Sequence, residues 1–126
     1  MMARRSFNWY SGVGKFLIDL EQIRPRKTRA LFHKAGNSEE WRLVGEPSWN
    51  AFYRFWTAKE AVLKAAGIGL SDLSDCRIVA LSDERALTIR YRKQTWPVEH
   101  FYFDGHMAAV VKDGWDITWS MENGQL

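Results

Sequence analysis

Cysteine is nearly absent from this chain. Cys76 is the one cysteine in 126 residues, which excludes an intramolecular disulfide and any zinc site built from several thiolates. Such usage suits a reducing compartment, and with no activating partner near it in sequence Cys76 reads as buried filler. Histidine is scarce too. His33, His100 and His106 are too scattered to form a metal set, and each is simplest as a structural residue. No apolar run approaches the roughly 20 residues that a bilayer-spanning helix needs. The Met1–Arg5 start is not followed by the apolar stretch of a secretory signal. These absences predict a soluble, unexported, cytoplasmic protein with no membrane association.

What the chain does hold is aromatic residues and an uneven charge. Seven Trp, seven Phe and four Tyr argue against disorder, and the length predicts one domain over 1–126 with a real core. The net charge of +3 points to an anionic partner. Arg24, Arg26, Lys27, Arg29 and Lys34 follow one another with no acid between them. A run of this kind is usually a solvated face; it also suits phosphate or an acidic protein.

Residues 1–11 show no clear periodicity. Val13–Ile23 reads as a strand, in which Phe16, Ile18 and Leu20 alternate with Lys15, Asp19 and Glu21. Pro25 stops it. A short basic helix over Lys27–Lys34 follows, then another from Ser38, with Trp41 and Leu43 on its inner face. The long helical run Phe52–Gly69 has Ser48 as N-cap and Gly67 as terminator. After the turn-rich 71–75, the period changes. Arg77–Leu81, Ala86–Arg92, Glu99–Asp104 and Met107–Lys112 read as strands, with Asp104-Gly105 as a hairpin turn, and Asp116–Ser120 as an added edge strand. The layout is α+β: an N-terminal strand, a helical segment, then an antiparallel β-meander.

Two groups of side chains carry candidate chemistry. Asp19 and Glu21, two apart on a strand, leave the same face. They suit a hard cation such as Mg²⁺, which favours carboxylates together with substrate phosphates; on spacing alone an exposed strand face is the simpler reading. Trp56, Glu60 and Lys64 lie four apart along one edge of the long helix, with Lys59 beside them. By itself Glu60–Lys64 is an ordinary solvated pair worth roughly 0.2–0.5 kcal/mol, and Trp56 at that spacing is ordinarily core.

Taken together and in order, these residues resemble a family. Ile18-Asp19-Leu20-Glu21, then Phe55-Trp56-Thr57-Ala58-Lys59-Glu60-Ala61, then Lys64, is similar to the paired signature of the 4′-phosphopantetheinyl transferases. Gly67-Ile68-Gly69-Leu70 looks like the family's G-x-G-L turn, and His106–Val111 like its closing strand. Leu17 departs from the pattern, standing where the family usually has glycine. The resemblance implies a meander packed on the long helix and a holo-acyl-carrier-protein synthase type of enzyme. That activity moves the phosphopantetheine arm of coenzyme A onto a serine of an apo acyl- or peptidyl-carrier protein, with Mg²⁺, releasing 3′,5′-ADP. It implies Asp19, Glu21 and Glu60 as metal ligands, Glu60 and Lys64 as catalytic, and Lys59, Lys64 and Trp56 as coenzyme A contacts.

The second half looks more like the C-terminal lobe of the longer, surfactin-type enzymes, so self-association into a homo-oligomer is expected. Two further classes stay in view. An inactive relative would bind coenzyme A or a partner without turnover. A nucleic-acid-binding module would account for a pI of 9.2, the basic run and the aromatics; the carboxylates at 19, 21 and 60 count against it.

Overall fold

The computed structural model describes residues 4–10 and 15–112. Strands β1 (Arg4–Tyr10) and β2 (Lys15–Gln22) come first, followed by helices α1 (Phe32–Ala35), α2 (Ser38–Arg42) and α3 (Trp49–Ala65). Strands β3 (Arg77–Leu81), β4 (Ala86–Tyr91), β5 (Gln94–Phe103) and β6 (His106–Lys112) complete the described chain. All six strands form one antiparallel sheet in the order β1-β2-β6-β5-β4-β3. The expected α+β layout is therefore present, with α3 laid across one face of the sheet, mainly against β2 and β6.

The helix α3 forms where its local signals ask for it. Ser48 Oγ accepts from Ala51 N–H at 3.1 Å, satisfying one of the free donors of the first turn. At the other end Gly67 takes a positive φ of 75°. There Ile68 N–H donates to Leu63 O at 2.8 Å and Gly67 N–H to Lys64 O at 3.0 Å, the paired closure that a left-handed glycine permits. Phe52, Phe55, Ala58, Ala61, Val62 and Leu63 bury completely beneath it. They meet Leu87, Ile89, Val98, Met107, Ala109 and Val111 from the inner face of the sheet. Trp41 closes one end of this core: its indole N–H donates to Phe32 O at 3.0 Å and its ring lies 4.7 Å from that of Phe55.

Several local expectations are corrected. Residues 4–10 form β1, paired along its length with β2 from Arg4↔Glu21 to Tyr10↔Lys15. A strand edge left open by β2 recruits this segment, whose own pattern is weak; pairing context overrides local preference. The basic segment is a short 3₁₀ turn at Arg29–Leu31 running into α1, rather than one helix. The N-cap of α2 is Asn37, in a reciprocal capping box with Glu40. Leu43, expected inside, is 46% exposed. The predicted edge strand Asp116–Ser120 lies outside the described residues.

The meander also starts β5 earlier than its residues suggested, through Pro97. The β6 ladder begins at Val98 while Pro97 pairs with Thr88 alone, so the missing N–H falls on an open side of the strand. Asp104-Gly105 makes the anticipated two-residue turn, with φ of 48° and 68°. A second such turn lies at Arg92-Lys93, φ 52° and 64°. Neither residue favours that conformation, which costs roughly 1–2 kcal/mol per non-glycine residue. We expect Arg92→Asn/Lys93→Gly to stabilise the protein by about 1 kcal/mol in urea denaturation.

His100 gives the fold one source of pH sensitivity. It is fully buried on β5 and shares a 3.0 Å hydrogen bond through Nε2 with Arg54 O, so its ring is a neutral donor there. Burial, and then the Arg54 charge, push its pKa down from 6.5 to about 3. The unfolded chain therefore binds a proton below pH 6.5 that the folded one refuses until about pH 3. The contribution of His100 to stability is complete above pH 6.5 and is lost with acid, by about 2 kcal/mol at pH 5 and on the order of 4 kcal/mol at pH 3. Thermal unfolding of His100→Gln should show a flatter pH profile across that window than the wild type.

Candidate metal and phosphate centre

The alternation of β2 turns Asp19 and Glu21 toward α3, while Ile18 and Leu20 pack into a separate apolar cluster with Ala108 and Val110. On α3, Glu60 and Lys64 lie one turn apart and face the same strand. The result is a convergence of distant residues. One carboxylate oxygen from each of Asp19, Glu21 and Glu60 lies within 4.8 Å of the others, and these side chains are 0%, 1% and 0% exposed. Lys64 Nζ meets Asp19 Oδ1 at 2.6 Å, with the lysine side chain 23% exposed and the aspartate's closed off. The acids lie inward and the ammonium at the mouth.

Charges of one sign at this spacing oppose one another by roughly 3 kcal/mol per pair at an effective dielectric constant near 20. Lys64 offsets part of that. A donor set made only of carboxylate oxygens, gathered around one point and held by a strand and a helix, fits a hard divalent cation such as Mg²⁺. Among the described residues it is the one grouping of acidic, histidine or cysteine side chains with that convergence.

Lys59, named with this centre, is engaged elsewhere, while Trp56 stays on the same helix edge as Glu60. Lys59 is 2% exposed, and its ammonium is bound by Glu40, at 3.0 Å to Oε1 and 2.8 Å to Oε2. Trp56 is half-buried and stacks on Phe52 at 5.7 Å. Glu40 is the residue that sequence reasoning missed. Its partnership with Lys59 was signalled only by a lysine falling among apolar positions. Cys76 is buried, which pushes its thiol up to about 12 against the pull of Lys59; it stays protonated and is no nucleophile.

The chain leaving β2 is fixed beside the centre. Ile23 N–H donates to Gly105 O at 2.8 Å, and Tyr53 O–H donates to Arg24 O at 2.9 Å. Past these anchors runs a groove of about 530 Å³ lined by Arg24, Pro25, Arg26, Lys27, Thr28 and Leu31. Three of its six lining residues are cationic and none is acidic.

A family model for the 4′-phosphopantetheinyl transferase superfamily matches residues 18–118. The chain belongs to that superfamily. Its matched span begins at the strand bearing Asp19 and Glu21 and takes in α3, so the carboxylate centre lies wholly within it. A Haemophilus influenzae protein provisionally named a 4′-phosphopantetheinyl transferase is 42% identical over 62 residues, covering 48% of this chain and 26% of that protein. The 4′-phosphopantetheinyl transferase HetI of Nostoc is 35% identical over 74 residues, 55% of this chain and 31% of HetI. The matched segments thus span about a quarter to a third of these curated relatives. No solved structure matches the chain. No helix among the described residues is long and apolar enough to cross a membrane.

The Asp19–Lys64 contact yields a stability prediction. Lys64→Met removes the ammonium from a closed-off carboxylate and should cost about 2 kcal/mol, below the figure for a fully buried pair because water reaches the lysine side. Adding Asp19→Asn should recover most of that loss, read as a coupling energy in a urea double-mutant cycle.

Proposed function

We propose that this chain transfers the 4′-phosphopantetheine arm of coenzyme A to a serine of an apo acyl- or peptidyl-carrier protein, with Mg²⁺, releasing 3′,5′-ADP. The observation that carries the reading is the convergence of Asp19, Glu21 and Glu60 beside Lys64, in a member of this superfamily. A divalent cation held by the three carboxylates would neutralise the diphosphate and align it. The serine oxygen forms a bond to the phosphorus that bears the pantetheine, and the bond from that phosphorus to the bridging oxygen of 3′,5′-ADP breaks. Glu60 is the base for the serine proton, directly or through one water. Lys64, at the mouth, faces the negative charge that grows on the departing phosphate. Phosphoryl transfer asks chiefly for alignment and charge neutralisation, and groups borne on a strand and a helix supply both with little reorganisation.

The basic groove after β2 suits the acidic surface of a carrier protein by complementary charge, and its backbone anchors hold it ready. Lys59, expected as a coenzyme A contact, is better assigned to the body of the domain, given Glu40 as its partner; Trp56, half-buried on the Glu60 edge of α3, keeps that expected role. Self-association belongs to the same proposal: light scattering on the purified protein should show more than one copy per particle, and a monomer active with coenzyme A would remove it.

Incubation with coenzyme A, Mg²⁺ and an apo carrier protein should add the phosphopantetheine mass to the carrier. Glu60→Ala should lower the rate at least a hundredfold, and an unchanged rate would take Glu60 out of the mechanism. Coenzyme A binding without any transfer, at saturating Mg²⁺, would favour the inactive relative.

A further inference from the structure

We infer that the buried Glu40–Lys59 ion pair is a positioning device for the carboxylate centre, setting the rotation of α3 so that Glu60 meets Asp19 and Glu21. The inference rests on the metal-site reading above and adds to it two residues that touch neither metal nor substrate.

One carboxylate joins three elements. Glu40 Oε1 accepts from Asn37 N–H at the start of α2 at 3.0 Å and from Lys59 Nζ at 3.0 Å. Its Oε2 accepts from Lys59 Nζ at 2.8 Å and from the Ile78 N–H of β3 at 2.7 Å. Both side chains are nearly sealed, at 3% and 4% exposed. A buried ion pair is seldom more stable than well-packed apolar residues of the same volume. Cohesion alone would therefore be served by methionine and leucine at these positions. What an apolar pair lacks is direction, and here the direction matters.

Successive residues on a helix point about 100° apart. With Lys59 drawn toward α2 and β3, Glu60 is turned toward β2. Lys64, four residues on, is held by Asp19, so α3 is gripped on both sides of Glu60.

The test compares wild type, Glu40→Gln, Lys59→Met and the Glu40→Gln/Lys59→Met double variant. Mn²⁺ binding is followed by electron paramagnetic resonance, thermal midpoints are measured alongside, and the double variant is crystallised. The double variant, which leaves no lone buried charge, should unfold near the wild-type midpoint and bind Mn²⁺ at least tenfold more weakly. Its crystal structure should show the Glu60 carboxylate outside the 4.8 Å cluster. If all three carboxylates stay clustered in that structure, the inference is overturned. A double variant unable to fold overturns it as well, since the pair then serves cohesion itself. Failure of the metal reading looks different: wild type and Glu60→Gln would bind Mn²⁺ alike, and the crystal structure alone would then decide the positioning role.

Discussion

Like charges do not gather in a protein interior without a reason, and three of them gather here. Asp19 and Glu21 come from one strand and Glu60 from a helix some forty positions along, yet their oxygens share a space less than 5 Å across, sealed from solvent. Such an arrangement works against folding unless positive charge is brought to it. Lys64 brings one charge on a flexible stem. The rest of the architecture can be understood as the framework that makes this concentration tolerable: a strand interior to the sheet on one side, and on the other a seventeen-residue helix held down by a dense aromatic core.

That helix has two jobs on two faces. Its apolar face carries Phe52, Phe55 and a row of alanines small enough to let the backbone sit close to the sheet. The edge facing β2 carries Glu60 and Lys64. Placing both on a single rigid element means that core packing and site geometry cannot vary independently, because interiors this dense do not deform continuously. Tyr53 extends the same economy: buried with the core, it reaches the backbone of Arg24 and so ties the basic loop to the helix that holds Glu60.

What could be read before any coordinates were known is what depends on near neighbours in the chain. Ser48 and Gly67 bound the helix as expected, because capping is local. Asp104-Gly105 turned as expected for the same reason, and the same-face geometry of Asp19 with Glu21 follows from strand alternation alone. That Glu60 reaches them does not follow from spacing; family resemblance suggested it. Most of the features that escaped notice depend on pairing with another element rather than on a segment's own residues. β1 exists because β2 offers an edge. Arg92-Lys93 adopts a turn its residues resist because β4 and β5 must pair. Pro97 is tolerated because one flank is open, and Lys59 is interior because Glu40 comes to meet it.

The strand that carries Asp19 and Glu21 has β6 as its inner neighbour, with Ile18 opposite Val110 and Leu20 opposite Ala108. During synthesis, then, β2 leaves the ribosome well before β6, its inner neighbour in the sheet, arrives. Contacts of such long loop closure form late and slowly. The carboxylate cluster of Asp19, Glu21 and Glu60 would reach its final shape only as β6 closes against β2.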